Sequence, residues 1–213
     1  MIDISCEFSV PLGRFDLSAY IRELDISVYI LDDNDQKIIL GKIAADQLLL
    51  ADAEVDGKRL LDICDEDSQG MYELYTALFE NGSEFHSELG LDFPTEHILF
   101  LWRSTLHQKI FPYQEAILAV LSEMFGHDCV VIMWREVSQL TDKQLSGLGF
   151  SKIAEKEFVF RHVATYSDFR KANPKGIEVP FEFNATKEDE AWVMEQWNKD
   201  GTDLNDTETM PNE

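Results

Sequence analysis

The side chains of this sequence that could do chemistry are mostly carboxylates. One group stands close together: Asp62, Asp65, Glu66 and Asp67 precede a run with helical spacing. Acids at such a place interact well with the positive end of a helix and cap its free amides. The same carboxylates could instead hold a metal ion or a cationic substrate. A second acidic run, Asp32-Asp33-Asn34-Asp35, lacks the glycine and the later glutamate of an EF-hand loop and reads as a hairpin tip. Cys6, Cys64 and Cys129 are odd in number and widely spaced, which argues against a disulfide framework and gives no zinc spacing. His86, His97, His107, His127 and His162 have no ligand spacing either. No Gly-x-Ser-x-Gly elbow, Walker loop or His-Glu-x-x-His occurs.

The densest apolar region runs from His97 to Phe160. Its pattern predicts a strand from His97 to Arg103 with an extension toward Leu106. A helix from Pro112 to about Phe125 follows, then a strand from Cys129 to Trp134, a segment Leu145 to Phe150, and a last strand from Glu157 to Arg161. A crossover helix between two apolar strands implies parallel pairing. Upstream, Ile2 to Val10 reads as a strand, and Pro11-Leu12-Gly13 as a turn. Residues 16 to 24 read as a helix with Asp16 as its N-cap, because Leu17, Tyr20, Ile21 and Leu24 have helical spacing. A hairpin of Ile26 to Leu31 and Lys37 to Ile43 comes next, and Ala44 to Ala53 continues as strand or short helix. Leu60 to Ser68 leads into a helix from Gln69 to about Phe79, with Met71, Leu74, Tyr75 and Leu78 on one face. Asn81-Gly82-Ser83 ends it, and Glu84 to Leu89 reads as a further helical turn.

After Arg161 the character changes. Residues 162 to 180 are polar, with Arg161, Arg170, Lys171 and Lys175 as a small basic island. Thr186 caps a helix to Asn198 whose apolar side carries Trp192, Val193, Gln196 and Trp197. That helix is expected to dock, since two exposed tryptophans would form a sticky patch. Residues 201–213 have no periodicity and are expected to be disordered. The expected organisation is one domain over 1–161, a C-terminal extension with a docked helix over 162–200, and a tail over 201–213.

The chain has 213 residues, with 18 basic against 41 acidic side chains and a formal net charge of −23. Such a field repels phosphate backbones and anionic membranes, so neither nucleic acid nor a membrane is an expected partner. No apolar run has the length of a membrane span, and the N-terminus has no basic region followed by an apolar core. A cytoplasmic protein is expected. The acids are scattered, which suits solubility; they could also attract a basic partner.

Residues 26–161 resemble the GNAT N-acetyltransferase superfamily. The resemblance rests on the hairpin, the apolar strand, the crossover helix beginning Phe111-Pro112-Tyr113-Gln114-Glu115-Ala116-Ile117-Leu118, the strand ending at Trp134, and Leu148-Gly149-Phe150 before the last strand. It implies an α/β fold: a GNAT-like twisted mixed β-sheet flanked by helices, here with a C-terminal helical extension. It also implies acetyl-CoA as cofactor, its pyrophosphate held at the start of the crossover helix by the motif Arg/Gln-x-x-Gly-x-Gly/Ala. Free amides and the helix dipole attract an anion there, and glycine lets the backbone come close. Two registers fit this chain, Gln114 to Ala119 and Lys109 to Gln114, and neither contains glycine. The cofactor-binding residues implied are Leu106, Lys109, Gln114, Glu115, Ala116 and Ile117. The family's tyrosine acid falls on Leu145, and Glu136 and His107 are base candidates by position alone.

Two functions are therefore expected in competition. One is an acyl-CoA-dependent N-acetyltransferase-like protein with an atypical pyrophosphate motif, acting on a small amine or basic peptide. The other is a catalytically inactive protein of the same fold that engages a basic partner through its acidic surface. A V-shaped gap between the His97 and Cys129 strands, open or filled by Phe111, Tyr113 and Met133, would separate them.

Overall fold

Runs of β-branched and aliphatic residues draw the first half of the chain into strands. In a computed structural model, which describes residues 2–8, 17–91, 94–125, 128–154, 156–163 and 183–203, β1 (Asp3–Phe8) pairs antiparallel with β2 (Ile21–Leu31). β2 in turn pairs antiparallel with β3 (Lys37–Leu49). The expected helix over 16 to 24 is not formed. Leu17–Tyr20 make one 3-10 turn and the chain is extended from Ile21. The alternation of Leu24, Ile26, Val28 and Ile30, all buried on one face, reaches back into this stretch. Residues 21–25 take ladder hydrogen bonds with residues 44–48 of β3, which outweighs the local helical spacing. At the hairpin tip, Asp32 Oδ1 accepts the backbone N–H of Asn34 and of Gln36, both at 2.8 Å.

Three helices follow β3: α1 (Leu50–Val55), α2 (Leu60–Asp67) and α3 (Gln69–Leu78). Residues 60–67 are a full helix rather than a lead-in. The Ser68 side chain caps α3 by accepting the Met71 N–H at 3.2 Å. Ile63, Met71, Leu74 and Leu78 pack on Ile98, Phe100, Val130 and Ile132 of the sheet. The helical turn expected at Glu84 is partly corrected. β4 (Phe79–Asn81) and β5 (Glu84–Phe85) form a small hairpin about Gly82, whose φ of +67° suits glycine, and only Ser87–Leu89 is helical.

β6 (His97–Leu106) pairs antiparallel with β3. A 3-10 turn, Gln108–Tyr113, carries Pro112 and leads into α4 (Gln114–Phe125). β7 (Cys129–Trp134) then runs parallel to β6, as the crossover predicts. α5 (Asp142–Gly147), not anticipated from the sequence, is started by a capping box between Thr141 and Gln144. β8 (Ser151–Lys152) and β9 (Phe158–Val163) complete a seven-stranded sheet in the order β1-β2-β3-β6-β7-β9-β8. Ile117, Leu118, Leu121 and Leu145 cover the face opposite α2 and α3. The protein is thus α/β, a mixed sheet flanked by helices. No helix among the described residues is long and apolar enough to cross a membrane.

The last helix, α6 (Lys187–Asp203), is docked against β3 and β6, as expected. Thr186 N–H donates to Asp189 Oδ2 at 2.8 Å and Val193 is fully buried. β3 extends beyond the end of β6, and α6 serves the exposed backbone there. Ile39 N–H donates to Glu190 Oε1 at 3.4 Å, and Lys187 Nζ donates to Lys37 O at 2.9 Å. The expected turn Pro11 to Gly13, the Asp16 cap, His127, the basic residues Arg170, Lys171 and Lys175, and the tail from 204 lie outside the described residues.

Candidate functional site

The ladder between β6 and β7 ends at Leu101 and Met133, while β6 continues to Leu106 on β3. Beyond that point β7 ends at Trp134 and gives way to a 3-10 turn, Arg135–Val137, that stays beside β6. The space between them is filled. Leu106, Ile117, Leu118 and Met133 are all buried there and leave about 10 Å³. Ser104 Oγ donates to Val137 O at 3.2 Å across the opening. Phe111 is exposed and Tyr113 packs edge-on against Phe183, so of the three side chains considered only Met133 fills the space. A volume of about 10 Å³ holds one water at most. The residues present do not fit an acyl-CoA arm.

Of the remaining residues implied for the cofactor, Lys109 and Glu115 have other partners. Lys109 Nζ binds Asp189 Oδ2 at 2.6 Å and Asn184 O at 3.3 Å. Glu115 Oε1 accepts from Gln144 Nε2 at 2.7 Å. Gln114 is buried with its Oε1 unbonded, and Ala116 is half-buried. Leu145 is a core residue. His107 is buried beside Asp189, at 3.4 Å, with the Trp192 ring edge-on to it.

The open site is on the opposite face, where α2 and α3 cover only part of the sheet. Glu23 of β2, Asp46 of β3 and Phe100 of β6 are successive cross-strand neighbours and so share one face. Between Ala44 and Ala45 the β3–β6 register shifts, leaving Trp102 as the extra residue. A bulge of this kind re-aims side chains, and both Trp102 and Arg103 line the same cleft. The cleft has a volume of about 810 Å³. Its walls are aromatic (Phe100, Trp102, Trp134) and acidic (Glu23, Asp46, Asp67, Glu73, Glu136), and Ser68 to Gly70 at the start of α3 close one side. Trp134 is held by stacking on Phe158, with centroids 3.9 Å apart. A smaller recess of about 430 Å³ adjoins it, sharing Glu23, Asp46 and Trp102 and adding Glu7, Asp25 and the Trp197 ring.

Burial pushes the Asp46 carboxyl from its ordinary value of 3.8 up to about 7, and the nearby Asp67 and Glu23 charges add to the effect. The Trp102 indole N–H acts the other way, favouring the carboxylate, although it forms no aligned hydrogen bond. Glu23, Asp46 and Glu136 make no ion pair with a described residue. Burial also raises the Cys64 and Cys129 thiols to about 12, leaving them protonated and poor nucleophiles. No three His, Cys, Asp or Glu side chains gather as metal ligands among the described residues.

Of the acids singled out at 62–67, Asp67 reaches the cleft; of the base candidates, Glu136 does. Asp46, Glu23 and the two tryptophans carry no local motif. An acid inside the apolar run Ile43 to Leu50 was the one signal for Asp46. No protein family, curated protein or solved structure matches this chain.

Proposed function

We propose that the protein binds a small organic cation, an amine or the amine of a basic side chain, in the cleft between β2–β7 and α3. One observation carries this reading. Asp46, a carboxylate with no cationic partner among the described residues, lies on a floor flanked by Trp102 and Trp134. Indole faces attract cations, and burial strengthens the pairing of an ammonium with a carboxylate. The net charge of −23 raises the local concentration of cations at the surface. Tryptophan fluorescence and calorimetry with spermidine and tetramethylammonium test it. Saturable binding, weakened by Asp46→Asn, is expected. Binding no tighter than that of sodium at equal ionic strength sinks the proposal.

A second reading is N-acyl transfer of the kind the GNAT resemblance implies. The observation that favours it is also Asp46: a carboxyl with proton affinity near neutrality, lining an open cleft beside β6 and β7, suits removal of an ammonium proton. The filled space between those strands opposes it. Calorimetry with acetyl-CoA and CoA decides, and absence of heat at millimolar ligand would end this second reading.

A further inference from the structure

Arg103 is the one basic side chain among the described residues lining the larger cleft, yet it pairs with none of the carboxylates beside it. Its guanidinium is held on the C-terminal helix instead. Nη2 donates to the Trp197 carbonyl, and the guanidinium carbon sits 4.0 Å from the Trp197 ring centroid. Its Nε is buried without a partner. A guanidinium satisfied on one side only, next to Glu23, Asp46 and Glu136, is a cation that the cleft would take if it were released.

We infer that Trp197 is a positioning residue that holds the Arg103 guanidinium on α6, at the wall of the cation cleft and off its carboxylates, and that undocking of α6 lets the guanidinium swing onto those carboxylates as an internal competitor. The inference rests on the cation-binding proposal and adds its regulation. The helix is suited to such a role. Val193 is its one fully buried side chain among those described, and much of its remaining attachment is polar. Asp189 bridges Lys109 and His107, Glu190 serves the Ile39 amide, and Lys187 serves the Lys37 carbonyl. The Lys109 and Lys187 pairs are partly exposed, and such ion pairs are worth little each and weaken with salt. Docked, α6 presents an acidic cleft with its own cation set aside. Released, it supplies that cation.

The test uses the full chain and spermidine as probe. Trp197→Ala is expected to lower spermidine affinity about tenfold, the scale of one added charge roughly 12 Å away at an effective dielectric constant of about 20. Asp189→Asn, at the far end of the helix from Trp197, should lower it in the same direction. This second variant guards against a merely local defect at Trp197. The double variant Trp197→Ala with Arg103→Met should recover most of the loss, because the competitor is gone. Wild-type affinity in Trp197→Ala, or a double variant as weak as the single one, overturns the inference while leaving cation binding intact. Absence of spermidine binding in the wild type overturns the cation-binding proposal and this inference together.

Discussion

Glu23 and Asp46 lie directly opposite each other on β2 and β3. Two acids in that relation repel across the ladder and cost stability, where an apolar or oppositely charged pair would add it. On the same face two residues along, Ile21 faces Leu48, the apolar pairing that packing would favour. The carboxylates mark the line where the helix-covered core gives way to the cleft.

Removing the buried charge should stabilise the protein in a pH-dependent way. The Asp46 carboxyl is raised in the folded state, so the ionised form is disfavoured there. The stability associated with its proton is complete below 3.8 and is lost as pH rises toward about 7. A displacement from 3.8 to about 7 corresponds to at most roughly 4 kcal/mol, since solvent at the cleft screens part of it. Urea unfolding should find Asp46→Asn matching wild type near pH 4 and more stable near pH 8. Equal stability at both pH values would contradict the burial of this charge.

Cation binding should release a proton. A ligand ammonium beside Asp46 favours the carboxylate and draws its proton affinity down from about 7. Calorimetry of tetramethylammonium, which has no proton of its own to lose, should show heats that vary with buffer ionisation enthalpy at pH 6.5. The variation should vanish in Asp46→Asn.

Opening the filled gap should cost stability and gain no cofactor. Ile117 is buried against the ends of β6 and β7. Ile117→Gly removes its packing and weakens α4, an expected loss of about 3–5 kcal/mol. Denaturant titration measures the loss, and CoA calorimetry should show no gain. Tight CoA binding by this variant would revive the acyl-transfer reading.

Docking of α6 should fail in acid. Burial raises the Asp189 carboxyl, but its hydrogen bonds from Lys109 and the Thr186 N–H and the Lys109 and His107 charges outweigh this and hold it below its ordinary 3.8. Its contribution is therefore present above 3.8 and lost as pH falls through the lower folded value. The protection of amides at 187–199 against hydrogen exchange, taken relative to the intrinsic rate at each pH, should fall on acidification ahead of that in β6 and β7.

Much of the central architecture was legible in the chain. The apolar runs His97–Leu106 and Cys129–Trp134, separated by a helix-length segment, determine a parallel crossover, because no short turn can return a strand in the same direction. Thr186 and Asp189 likewise announced the start of α6. The 3.6-residue spacing at Leu17 to Leu24 misled, because strand pairing partners contributed from β3 decide that stretch.

The sequence by itself determined the alternation that builds the sheet, the amphipathic faces of α3 and α6, and a surplus of acids. These depend on periods of two and 3.6 residues and on composition, all local properties. Only the tertiary structure decided which acids matter. Glu23, Asp46, Asp67 and Glu136 come from four separate elements and meet because cross-strand register and a bulge at Trp102 align them beside α3. It also decided that Ile117 fills a gap and that Arg103 rests under Trp197, contacts made by residues far apart in the chain and settled by packing.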